Sequence, residues 1–184
     1  MNQYYLMAQL PGLDGLGETE PLPITEDAFY ELCGRFLGEK AAETFRGLSL
    51  IPDRQEKPVH SEVVRARNPS ERQLRLALGS VRAARLKKSF DTEGTPVSAD
   101  VVQAAKTAVE MSDPMAAEQY LNQYRLEVLD RLRPQDAFSE DAVFHYGLKL
   151  KLLSRIRRFD AKAGREAYGH IYGSILHRAS QEGE

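Results

Sequence analysis

Cysteine is nearly absent from this sequence: Cys33 stands alone among 184 residues. A lone cysteine excludes an internal disulfide framework and fits a reducing compartment. Long apolar runs are missing too. A membrane-spanning helix needs ~18 or more consecutive apolar residues, and the run Leu148-Lys149-Leu150-Lys151-Leu152-Leu153 is broken by two lysines. The opening Met1-Asn2-Gln3-Tyr4-Tyr5 has neither the basic segment nor the small-residue cleavage site of a signal peptide. The expectation is a cytoplasmic protein, peripheral to the inner membrane at most, through a complex.

Catalytic signatures are missing as well. There is no GxxxxGK[ST] phosphate loop, and Gly15-Leu16-Gly17 does not lie between a strand and an apolar helix. No Gly-x-Ser-x-Gly elbow is present. Cys33 follows Leu32 on an apolar helical face, where a small buried thiol is the ordinary reading. Of the histidines His60, His145, His170 and His177, His170 shares a predicted helix face with Glu166, and His177 lies two turns further on, which makes two ligands at best. A metal site wants three or four converging ligands. No catalytic residue, cofactor or metal is therefore expected.

What the chain does have is helical patterning. Hydrophobic residues make up 42% and charged residues 28%, which is globular usage and not disorder. Residues 4 to 10 are apolar but too short to separate strand from helix, and the acidic Gly- and Pro-rich stretch to Pro23 reads as a loop. Thr25, followed by Glu26 and Asp27, is an N-cap signal for a helix that Gly38 ends, with a second short helix over about 39–45. Residues 48 to 67 read as an extended connection with a little strand. Asn68-Pro69-Ser70-Glu71 predicts the start of the next helix. Ser98, Asp113-Pro114 and Ser139 predict three more starts, and the last helix keeps its period past residue 170, with a kink near Asp160. The prediction is an all-α bundle of five to six amphipathic helices in one domain, with 1–95 and 96–184 as candidate submodules.

Charge is segregated along the chain. Arg65, Arg67, Arg72, Arg75, Arg82, Arg85, Lys87 and Lys88 are opposed only by Glu71, and a second basic stretch runs from Lys149 to Arg165. Three readings stand side by side: a solvated face paired with neighbouring acids, a surface for a protein partner, or contact with nucleic acid or lipid. Net charge of −2 argues against nucleic acid. The candidate partner-binding residues are Arg72, Arg75, Arg82, Arg155, Arg157 and Arg158.

Three stretches carry a resemblance: Gln3 to Pro11, Asp113 to Leu132, and Tyr146-Gly147-Leu148-Lys149-Leu150-Lys151-Leu152-Leu153-Ser154-Arg155-Ile156 followed by Phe159-Asp160. Together they resemble an uncharacterised bacterial family encoded in V-type ATPase operons. That family is distantly similar to the V-type ATPase component that couples the rotor stalk to the membrane ring, an all-helical funnel of repeated modules. This chain is too short to supply every module. The resemblance implies a non-catalytic component or assembly factor, with stalk or membrane-ring subunits as partners. It transfers no individual functional residue. The alternative is a helical adaptor or regulatory protein that binds an acidic protein or nucleic acid through a basic helical face.

Overall fold

The computed structural model describes residues 2–16, 20–52, 60–92, 94–158, 164, 166–173 and 175. The fold is all-α: 71% of it is helical, with no strand among the described residues. Seven helices run in order: α1 (Asn2–Gln9), α2 (Glu26–Leu37), α3 (Glu39–Gly47), α4 (Glu62–Arg85), α5 (Ala99–Glu110), α6 (Pro114–Arg131) and α7 (Glu140–Arg157). A further helical stretch covers 166–173. The expected kink near Asp160 lies outside the described residues.

Ser98 precedes α5 without a side-chain capping bond, while three other predicted caps bond the first turn of their helix. Thr25 Oγ1 accepts from the Ala28 amide at 3.2 Å, Asp113 Oδ1 from Met115 at 3.0 Å and Ser139 Oγ from Ala142 at 3.1 Å. Each satisfies one amide that the first turn leaves without a carbonyl. Gly38, at φ 92°, closes α2 with its N–H on the Gly34 carbonyl and opens α3 in the same residue. That left-handed backbone suits glycine.

The expected start at Asn68 is wrong. α4 begins earlier, at Glu62, and Pro69 lies inside it. The cap is Ser61, whose Oγ accepts from the Val64 amide at 3.3 Å and donates to Asp141 Oδ1 at 2.6 Å. The same Asp141 oxygen takes the Glu62 amide at 3.0 Å, so the first turns of α4 and α7 are tied together. Proline inside a helix removes one hydrogen bond and costs about 3 kcal/mol. Here the buried residues Val63, Val64, Arg67, Asn68, Glu71 and Leu74 flank it on both sides, and this packing overrides the local stop signal.

Residues 4 to 10, ambiguous in the sequence, are helical up to Gln9, with Leu6 fully buried. Two apolar clusters make up the core. The larger one gathers Leu6, Leu13, Phe29, Cys33, Phe45, Val63, Leu129 and most of the apolar face of α7. The smaller one gathers Leu74, Ala77, Leu78, Val101, Ala105, Ala108 and Leu121. Both α4 and α6 contribute to both clusters. The 95/96 boundary falls between α4 and α5, which pack together in the smaller cluster.

α7 is the central helix. It packs against α1, α2, α4 and α6, and burial is continuous from Ala142 to Leu150. Such packing needs a close approach somewhere, and Gly147 provides it. A Cβ there would lie 3.1 Å from the ring of Phe29, which is itself buried. Overpacking of this kind typically costs about 1–3 kcal/mol. Gly147→Ala also gains about 1 kcal/mol of helix propensity, so it is expected to lower the unfolding free energy by at most about 2 kcal/mol, while the larger Gly147→Leu, which cannot be accommodated beside Phe29, should destabilise clearly more in urea denaturation. A Gly147→Leu variant with the wild-type urea midpoint would show that α2 and α7 are not in close contact at this point.

Candidate functional site

The six arginines singled out from the sequence do not form one free basic face. Arg82 and Arg158 are exposed, while Arg72 is half-buried in α4. Arg75 is exposed but bonds Glu71 Oε1 at 2.9 Å. Arg155 is paired with Glu118. Arg157 Nε donates to the Glu20 carbonyl at 2.7 Å. The buried residues of α4 lie along one side of it, and Arg72, Arg75 and Arg82, three and seven residues apart, lie along another, with Arg75 engaged by Glu71.

Glu71, the one acid in the basic run, explains much of this arrangement. Its carboxylate is buried and faces Arg75, Arg67 at 4.0 Å and Arg125 of α6 at 3.0 Å. Arg125 Nη1 also donates to Asn122 Oδ1 at 3.2 Å and lies 3.6 Å from Glu118, which holds Arg155 of α7. Arg67 reaches back to the carbonyls of Ser49 and Leu50, at 3.3 and 2.5 Å. A chain of alternating charge therefore runs from the segment after α3, through α4 and α6, to α7. Among the described residues no buried side-chain nitrogen or oxygen lacks a hydrogen bond. Buried ions are tolerable only under that condition.

A second polar cluster opens to a cleft, and the sequence reading did not single it out. His145 and Lys149 lie four apart on α7, so they project from one side of it. Both are buried. His145 Nε2 donates to the Leu129 carbonyl at 2.9 Å. Lys149 Nζ donates to Asp14 at 2.5 Å and to Asp130 at 2.7 Å. Arg133 Nη2 meets both Asp14 oxygens, at 2.9 and 2.8 Å. The Tyr146 hydroxyl donates to the Pro11 carbonyl at 2.9 Å. These bonds pin the loop after α1 across α7 and the end of α6. Beneath it lies a cavity of about 220 Å³ lined by Met7, Leu10, Pro11, Leu13, His145, Tyr146 and Lys149, among others.

The charges here shift the titration of two groups. Hydrogen bonds from Lys149 and then Arg133 hold the Asp14 carboxyl below the usual carboxylate range. Burial pushes the His145 imidazole below its ordinary value, with Lys149 and Arg133 adding to the effect. The Leu-Lys-Leu alternation, read helically, carried the missing signal: a lysine in the middle of a buried helix needs carboxylates from elsewhere in the chain. By contrast, burial pushes the Cys33 thiol up to about 12, which fits an inert core thiol. Among the described residues no group of His, Cys, Asp and Glu is arranged to hold a metal ion.

Comparison of the chain with family models, curated protein sequences and solved structures finds no match. No described helix is long and apolar enough to cross a membrane.

The His145 shift makes stability depend on pH, and the sign is fixed. Its folded pKa is depressed, so its contribution is complete above the unfolded value of about 6.5. That contribution is lost as pH falls through the lower folded value. Urea denaturation between pH 7.5 and 5.5 is expected to show falling stability. His145→Gln, which can still donate to Leu129, is expected to flatten that slope. An unchanged slope in the variant would mean that another group supplies it.

Proposed function

We propose that the chain is a non-catalytic component or assembly factor of a bacterial V-type ATPase, acting by binding other subunits. One observation carries the reading. The three stretches that resemble the operon family lie far apart in sequence, yet they meet in space. Tyr146 of the third stretch donates to the Pro11 carbonyl of the first, and Lys149 of the third to Asp130 of the second. The rotor stalk and the membrane ring are the proposed partners, with the protein on the cytoplasmic side and peripheral to the membrane.

The adaptor reading, in which a basic helical face takes an acidic protein or nucleic acid, has less support. Arg75, Arg155 and Arg157 are already engaged within the chain. The test is co-purification of the affinity-tagged chain from its native host, under detergent conditions that keep the ATPase whole. Stalk or ring subunits are expected in the eluate. Recovery of none of them would refute the assignment. Arg82→Glu with Arg158→Glu probes the exposed basic residues. Reduced recovery of the same subunits is expected, because charge complementarity guides orientation and docking speed.

A further inference from the structure

We infer that the cleft beneath the loop after α1 binds a carboxylate carried on a short apolar group, and that Asp14 occupies the carboxylate position in the unliganded chain. The local geometry carries this independently of the ATPase reading. Two cations, Lys149 and Arg133, converge on the Asp14 carboxylate, which stays more than half exposed. It is therefore a surface group on a largely buried ammonium, and a second carboxylate from solvent can take its place.

The exchange requires little motion of the backbone. Leu13, next to Asp14, is buried in the larger apolar cluster. The Pro11 carbonyl is held by Tyr146, and Gly15 turns the chain at φ 71°. Rotation of the Asp14 side chain alone opens the position. The displaced carboxylate then returns to water, where it has no unmet desolvation cost.

The charge count limits the ligand class. Asp130 keeps its bond to Lys149 at 2.7 Å and lies 3.7 Å from Arg133. One anion is thus always present; Asp14, once rotated out, keeps its charge nearby but screened by water, so the two cations have room for at most one further negative charge. A monocarboxylate balances the site, whereas a phosphate dianion meets repulsion from Asp130. Beside the charges, the lining includes the apolar residues Met7, Leu10, Pro11, Leu13 and Ala142, together with His145 and Tyr146. A cavity of about 220 Å³ suits a short aliphatic tail or one amino-acid side chain. The same chemistry is found in a free short-chain acid and in the C-terminal residue of a peptide. A terminal carboxylate on Lys149 and Arg133 would gain charge-assisted hydrogen bonds while its tail leaves water.

Asp14 competes with any such ligand, so removing its charge removes a population that cannot bind. Calorimetric titration would use three probes: pentanoate, a tetrapeptide ending in Leu with a free carboxylate, and the same tetrapeptide amidated. Asp14→Asn is expected to bind at least about tenfold more tightly than wild type. Arg133→Gln in the Asp14→Asn background is expected to reverse that gain. Binding of pentanoate alone assigns the site to small acids, and binding of the free-carboxylate peptide alone assigns it to a peptide terminus. The amidated peptide should not bind. Should Asp14→Asn fail to give the helical circular dichroism of wild type, amide shifts in wild-type ¹⁵N spectra replace the titration. Pentanoate or the free-carboxylate peptide should then shift residues around Lys149, and Arg133→Gln should abolish the shifts. Absence of saturable carboxylate binding in the folded Asp14→Asn variant overturns the inference. So does carboxylate affinity equal to wild type, undiminished by Arg133→Gln, or retained by the amidated peptide. In the wild-type spectra, the absence of shifts around Lys149 overturns it equally.

Discussion

The Glu71 carboxylate lies where the two apolar clusters of this protein meet, and the arrangement of the surrounding helices depends on it. Apolar packing alone would let α4 and α6 slide or rotate against each other, since neither contact is directional. A carboxylate that must satisfy arginines from two helices is directional. Arg67 and Arg75 come from its own helix and Arg125 from α6. The small cavity around the pair is bounded by Val128, Leu129 and Leu152, so water does little to screen the charges there. Taking one partner from such a buried pair typically costs about 3–5 kcal/mol, because the other ion remains in the interior.

The same logic orders the rest of the molecule. α7 has apolar neighbours on most sides, yet it carries His145 and Lys149 in its buried stretch. Each finds a partner on α6, and Lys149 draws in Asp14 from the loop after α1 as well. Arg155 binds Glu118, near the start of α6. Polar bonds thus set the register of α7 along the whole length of α6, while apolar contacts supply most of the driving force. Charges that look like a docking surface in the sequence are in good part internal fastenings. Recognition chemistry instead concentrates at the cleft, where a buried cation is balanced by an exposed carboxylate.

The fold class was legible because helical periodicity and capping chemistry are local. Thr25, Asp113 and Ser139 cap the helices that the sequence assigned to them. Asn68-Pro69 misled because a start signal describes only what the nearest residues prefer, and Ser61 with Asp141 anchors the helix from outside that window. The polar clusters were illegible for a related reason. Glu71 and Arg125 are 54 residues apart, and Lys149 and Asp14 are 135 apart, so no spacing rule links them. A lysine between leucines gave a partial hint. In the sequence it stood in a basic stretch with a solvated face, a partner surface and a nucleic-acid or lipid contact all open, whereas α7 is buried too widely to leave it a free face.

Glu71 couples the two clusters into one cooperative unit, and native-state hydrogen exchange tests this directly. In the wild-type protein, the slowest amides of α5 and of α7 should report the same opening free energy, because both clusters open together. Glu71→Gln keeps the shape and removes the charge. The prediction is that α5 amides in this variant exchange at a clearly lower free energy than α7 amides, the smaller cluster now opening by itself. If α5 and α7 lose protection equally, or neither loses any, Glu71 does not couple the clusters.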